Sequence, residues 1–308
     1  MIEQHPLVSI GLPVYNGEKY LENALDSILA QTFNNFELII SDNASKDNTE
    51  EICRKYTLKD ERIRYHRNPQ NIGGFNNHNL TFSLANGDYF HFAAYDDIWA
   101  PDLLSKCVEA LDKHPEVILS YTKTVQIDAN GQFIRVISQQ KGTSTAPYKR
   151  FQDLTGFDHD CEPIYGLIRS DILNDIDRKT GILLSYTDSD RTLLCQLSLY
   201  GPFFQIPEPL FYRRIHPASS TKVYPEWRKR MLWAFPEGVD PITFPHWQQF
   251  FHYLRVIITA PISMRERGYC YRHIFHWVLM DRRWRKMLKD LYLASKKFYL
   301  YSRSKAVS

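Results

Sequence analysis

The chain is 308 residues long, 44% hydrophobic, 24% charged and 14% aromatic, with a formal net charge of +3. That balance suits a soluble globular protein, built as one domain with an extension rather than as two independent domains. No run approaches the ~20 apolar residues of a spanning helix, and "MIEQHPLVSI" lacks the basic start and apolar core of a secretory signal.

In chain order, Val8 to Leu12 is a short apolar run ending at Pro13. Lys19 to Ala30 follows with Leu21, Ala24, Leu25, Ile28 and Leu29 at helical spacing. Phe36 to Ile40 reads as a strand, Thr49 to Tyr56 as a helix, Ile63 to His66 as a brief strand, Asn76 to Ala85 as a helix and Tyr89 to Ala94 as another buried strand. Such alternation predicts an α/β fold with a mostly parallel sheet covered on both faces. Val117 to Ile127 and Phe133 to Ile137 flank "DANG" as a hairpin. Residues 138–160 are polar and read as a loop, "IYGLIRSDIL" opens another ordered segment, and "DSDRTLLCQLSLYG" reads as a helix capped by Gly201. Residues 221–308 read as a helical extension. Its last helix places Trp277, Met280, Trp284, Met287, Leu291, Ala294 and Phe298 at spacings of 3 and 4, with Arg282, Arg283, Arg285, Lys286 and Lys289 on other faces.

The small net charge conceals an asymmetry. Residues 211–308 hold 19 Lys+Arg and 6 Asp+Glu, whereas 1–210 hold 19 and 29. An acidic body with a basic tail implies an anionic partner, either a membrane surface reached through 270–305 or an anionic substrate. Nucleic acid ranks lower because no recognition motif accompanies the charge. Cys53, Cys107, Cys161, Cys195 and Cys270 have no metal-ligand spacing, which points to reduced, buried thiols in a cytoplasmic chain.

Asp42, Asp96 and Asp97 each follow an apolar, strand-like run. In open α/β sheets, ligands sit beyond the carboxyl ends of the strands. Carboxylates gathered there repel one another unless a cation sits among them. The economical reading is a divalent metal carrying a phosphate ligand. Asp42, Asp96, Asp97 and Asp190 can also be read as turn or cap residues. "NIGG" lacks the phosphate-loop signatures, and its glycines suit a tight turn.

The segments "VSIGLPVYNGEKYLENALDSILAQTFNNFELIISDNASKDNT", "NPQNIGG", "NGDYFHFAAYDDIWAPDLL" and "IPEPLFYRRIHPASS", in that order across residues 7–220, resemble the family 2 glycosyltransferases of the GT-A fold. The resemblance implies a GT-A domain over 1–220, with a nucleotide-sugar half at 1–105, an acceptor and catalytic half at 106–220, and a basic aromatic helical extension at 221–308. It also implies roles. Pro13, Val14, Tyr15 and Asn16 would form the nucleotide wall, with Tyr15 against the base. Asp42 would accept from the uracil ring N–H. Asn71 and Gly73 would border the donor, and Asp96 would touch the ribose. Asp97 and His216 would serve the metal and diphosphate. Asp190 would be the catalytic base, with Asp188 as the alternative. The sequence departs from the family pattern at Tyr95, where an acid is usual, at His78, where Arg is usual, and at "YTDSDR", where Glu-Asp is usual.

These roles suit the chemistry. A hard divalent cation, Mn2+ or Mg2+, neutralises a departing nucleoside diphosphate. A positioned carboxylate that takes the acceptor proton is worth roughly 10²–10⁴-fold. A single displacement would invert the anomeric centre. The acceptor would be a glycan, a lipid-linked saccharide or a small hydroxylated molecule. Two other readings compete: a catalytically inactive nucleotide-binding module, and a Rossmann-type oxidoreductase, although Leu7 to Glu18 lacks the glycine fingerprint of the latter.

Overall fold

The structure is a computed structural model that describes residues 6–156, 161–183, 189–219, 244–280 and 282–306. Its first half alternates strand and helix: β1 (Val8–Val14), α1 (Leu21–Leu29), β2 (Phe36–Asp42), α2 (Thr49–Thr57), β3 (Ile63–Arg67), α3 (Gly74–Ser83) and β4 (Tyr89–Phe92). There follow β5 (Ile98–Trp99), α4 (Leu103–Lys113), β6 (Leu119–Ile127), β7 (Phe133–Ile137), α5 (Pro147–Thr155), β8 (Leu167–Arg169), α6 (Ser170–Thr180), α7 (Ser189–Leu197) and β9 (Phe203–Arg214). Three helices close the chain, α8 (Pro245–Thr259), α9 (Met264–Met280) and α10 (Arg283–Ala306).

All nine strands join one sheet in the order β3-β2-β1-β4-β8-β6-β9-β5, with β7 on β6. The β3-β2-β1-β4 half is parallel, as alternating strands and helices require. Beyond it the sheet is mixed, because β8 is antiparallel to both β4 and β6, and β5 to β9. β1 and β2 are buried along their whole length, as central parallel strands are when both faces are covered. Successive strand side chains point to opposite faces. Accordingly Tyr89 and Leu167 join the core cluster of α1, α2 and α4, while Phe90 and Ile168 join the cluster of α5 to α9.

The switch in strand order places the crevice. β2 and β3 lie to one side of β1 and β4 lies to the other. Pairing of β1 with β4 stops at Gly11, whereas pairing with β2 continues to Val14 and Asp42. A gap therefore opens past the carboxyl ends of β1 and β4, where doubly wound sheets hold their ligands.

Three expectations need correction. Residues 138–160 are not all loop, because Pro147 starts α5 and Phe151 and Leu154 bury its inner face. The helix carrying Asp190 ends at Leu197, short of Gly201. The last amphipathic run is two helices rather than one. They are separated at Arg282, whose φ of 53° lies in the left-handed region. The apolar positions do not share one face: Trp277 on α9 and Met287 and Ala294 on α10 are buried, while Trp284 and Leu291, also on α10, face outward. Residues 221–243 lie outside the described residues. All five cysteines are free, and Cys161 alone is only half-buried.

Candidate functional site

The first wall comes from the loops after β1 and β2. Asn16 adopts φ 51°, and its backbone N–H donates to Ser45 Oγ at 2.9 Å. Its side-chain oxygen accepts from the Lys46 N–H at 2.9 Å. Gly17 N–H donates to Thr49 Oγ1 at 2.8 Å, and Glu18 N–H to Asp47 Oδ2 at 3.1 Å. Four bonds thus zip the two loops together and fix where Tyr15 leaves the sheet. Asp42 is fully buried. Oδ1 accepts from the Ser45 N–H at 2.8 Å, and Oδ2 accepts from Tyr65 Oη at 2.9 Å with Arg67 Nε at 3.4 Å. It closes a turn and does not cap a helix, since α2 starts only at Thr49.

The second wall is a lattice of asparagines. Asn43 Nδ2 donates to Asn71 Oδ1 at 2.8 Å, while Asn43 Oδ1 accepts from the Ile72 N–H at 2.8 Å. Asn68 Nδ2 reaches Asn77 Oδ1 at 2.9 Å, which also accepts from Ser41 Oγ at 2.7 Å. Asn71 Oδ1 takes the Gly73 N–H at 2.8 Å. Gly73 itself sits at φ 88° and ψ 156°, a conformation that only glycine adopts cheaply. The "NIGG" turn is therefore held by amides and permitted by one glycine.

The floor lies between β4 and β5. Asp97 is only 3% exposed, and its Oδ1 accepts the Arg214 N–H at 2.8 Å. Burial, and then the neighbouring Asp96 charge, push its carboxyl well above the usual carboxylate range, against the pull of the Arg214 N–H and of Arg213. Asp96 Oδ2 lies 2.8 Å from His216 Nε2. Arg214 Nε donates to the Asp96 carbonyl at 2.9 Å, and its guanidinium lies 4.8 Å over the Tyr20 ring. The sheet brings β9 beside β5, and so delivers "RRIHP" to the acidic pair.

Asp190 is in the first turn of α7 and is exposed. Its field reaches two partners. One is His78, whose ring burial lowers, opposed by the Gly74 carbonyl and Asp190. The other is Tyr165, whose hydroxyl is raised by burial and by Asp97, Asp190 and Asp96, with Arg213 opposing. All three carboxylates thus oppose ionisation of the half-buried Tyr165. Arg213 pairs with buried Glu162 at 2.8 Å. Burial works against its charge, and Tyr165, Glu162 and Asp97 outweigh that penalty. Sequence reasoning missed Glu162 and Tyr165; an acid embedded in the apolar "CEPIYGLI" is the signal that could have found the first. Asp188 lies outside the described residues. Asn79, in the second turn of α3, holds the Leu183 backbone at 2.8 Å and 3.2 Å, fixing the chain just before that segment.

Among the described residues no group of three His, Cys, Asp or Glu side chains gathers around a metal position. The donor set still fits a hard divalent cation. The Asp96 charge beside buried Asp97 disfavours ionisation of Asp97, and Mg2+-type ions characteristically take one or two protein carboxylates and complete their shell with phosphate oxygens. Asp97 and the Asp96–His216 pair match a cation shared with a ligand, not a closed protein cage.

The profile of glycosyl transferase family 2 matches residues 9–176. An uncharacterized glycosyltransferase of Methanocaldococcus jannaschii is 33% identical over 138 residues, 44% of this chain and 48% of that protein. The glycosyltransferase GlyG of Streptococcus pneumoniae serotype 4 is 31% identical over 129 residues, 41% of this chain and 43% of that protein. The chain thus spans about half the length of these curated relatives. Among solved structures, S. aureus TarS 1-349 in complex with UDP-GlcNAc superimposes with a TM-score of 0.62 at 19% identity, over 88% of this chain and 73% of that one. The Pyrobaculum calidifontis mannosyltransferase PcManGT, in complex with GDP-Man and Mn2+, gives 0.52 at 15% identity, over 96% and 87%. Identities this low establish a shared fold and nothing finer.

Proposed function

The chain belongs to glycosyl transferase family 2, and from that premise we propose that it moves a sugar from a nucleotide-sugar donor, in the first instance a UDP-sugar, to an acceptor hydroxyl with inversion. One observation carries the reading: buried Asp97, held by the Arg214 N–H at 2.8 Å, and Asp96, 2.8 Å from His216 Nε2, stand together past the end of β4, at the crevice where β1 and β4 part. The TarS and mannosyltransferase complexes, which hold UDP-GlcNAc and GDP-Man with Mn2+, favour a nucleoside diphosphate sugar in that crevice.

In this reading Pro13 to Asn16 support the base, Asp42 fixes the loop that meets the uracil edge, and Asn71 and Gly73 border the donor. Asp96 orients the ribose. Asp97 and His216 would hold Mn2+ or Mg2+, which when bound would supply charge neutralisation to the leaving diphosphate. Asp190 takes the acceptor proton. Asp188 is the substitute base. The acceptor is a glycan, a lipid-linked saccharide or a small hydroxylated molecule.

Thermal shift with UDP, GDP, dTDP and NAD, each with and without Mn2+, tests the proposal. Stabilisation by UDP that requires Mn2+ is the expected result, and stabilisation by NAD alone would overturn it. Metal-dependent UDP binding with neither hydrolysis nor transfer of a UDP-sugar would leave a nucleotide-binding module.

A further inference from the structure

The C-terminal helices carry a surface that the crevice does not use. α8, α9 and α10 pack on one another, and α10 buries Arg283, Met287, Asp290 and Ala294 along one face. A second face of α10 holds Trp284, Leu288, Leu291 and Tyr292, which are 41%, 53%, 44% and 65% exposed. Their offsets of 4, 7 and 8 residues from Trp284 align them in one stripe. At 100° per residue, Arg285, Lys286, Lys289 and Lys296 fall on a third face, and all four are exposed. α9 adds Phe275 and Leu279, one turn apart and both exposed.

Two features say what meets this stripe. Residues 244–308 contain 13 Lys+Arg and only 3 Asp+Glu. Of those acids, Asp290 is buried against His246 and Glu266 accepts the Tyr148 N–H at 2.9 Å, so neither neutralises the basic face. A second copy of the chain would bring the same cations against their own kind. Among the described residues no helix is long and apolar enough to cross a membrane.

We propose that the outer face of α10 lies in the plane of an anionic bilayer interface, with Trp284, Leu288, Leu291 and Tyr292 inserted at headgroup depth and the flanking Arg and Lys on lipid phosphates. This rests on the glycosyl-transfer reading only in implying an acceptor displayed at a membrane; the contact itself needs no donor.

The test is co-sedimentation of the full chain with vesicles of phosphatidylcholine containing 30% phosphatidylglycerol, against phosphatidylcholine alone, at low and high salt. Expected are binding to the anionic vesicles, little to the neutral ones, and weakening by salt. Leu288→Glu with Leu291→Glu abolishes it, and Lys286→Gln with Lys289→Gln lowers partitioning roughly tenfold or more. Because these positions are exposed, the variants keep the melting temperature and the UDP shift of the parent, which separates this inference from donor binding. Equal binding to neutral vesicles, or none to either, overturns it. So does a stable dimer of the parent that Leu288→Glu converts to monomer.

Discussion

His216 Nε2 lies 2.8 Å from Asp96 Oδ2, joining residues 120 positions apart. The contact ties the end of β9 to the turn after β4, and the His216 ring packs 4.7 Å from Tyr20 on the opening turn of α1. His216→Ala removes one imidazole from three elements at once. The expected result is a loss of at least tenfold in Mn2+-dependent UDP affinity by calorimetry, with a stability cost of about 1–3 kcal/mol for the half-buried Asp96 carboxylate left without its partner.

Asp97 separates metal dependence from folding. Asp97→Asn keeps an oxygen to accept the Arg214 N–H and removes the charge that burial and Asp96 oppose. The variant is expected to fold with unchanged or higher stability and to lose the difference between UDP shifts with and without Mn2+. A retained Mn2+ dependence would remove Asp97 from the ligand set.

Asp190→Asn should leave UDP binding within about twofold and lower transfer by roughly 10²–10⁴, the range of a lost general base. Rates with a chromogenic or radiolabelled UDP-sugar, read as kcat separately from KM, decide the point. Full turnover would move the role to Asp188.

Gly73→Ala places a Cβ at φ 88°, where an L residue costs about 1–3 kcal/mol. Because Asn71 holds the Gly73 N–H, the backbone has little room to relax. A lower melting temperature together with weaker UDP affinity is expected; Gly131→Ala, also at positive φ but in the β6–β7 turn, should lower stability alone.

Acid stability should report His91. It is fully buried, its Nδ1 bonds the Phe92 carbonyl at 3.0 Å, and burial holds it down to about 3. A histidine that resists protonation when folded protonates more readily when unfolded. Its contribution is therefore intact above the ordinary histidine value and is lost as pH falls from ~6.5 toward about 3, by up to about 1.4 kcal/mol per pH unit. Urea unfolding of the parent and of His91→Gln between pH 7 and pH 4.5 checks this, the variant giving the shallower slope.

The first hundred residues disclosed most of their structure because their periods are clean. Leu21, Ala24, Leu25 and Ile28 all face the core, and Asp42, Asp96 and Asp97 fall at or past strand ends as the alternation required. Elsewhere single residues mislead. α5 buries Arg150, Phe151, Leu154 and Thr155 within a polar stretch, too few apolar positions to announce a helix. The break at Arg282 is invisible because arginine carries no turn preference and the 3 and 4 spacing runs straight through it. The Arg213–Glu162 pair depends on a contact across 51 positions, which no local pattern records.

The asparagine lattice sets the terms on which any ligand enters. Asn43, Asn68, Asn71 and Asn77 already hold the turn before α3 through one another and through Ser41, so little chain freedom remains to be surrendered when a guest arrives. Loosening a single member, as in Asn68→Ala, would therefore register in calorimetry as a more unfavourable entropy of association, although that side chain need never touch the guest.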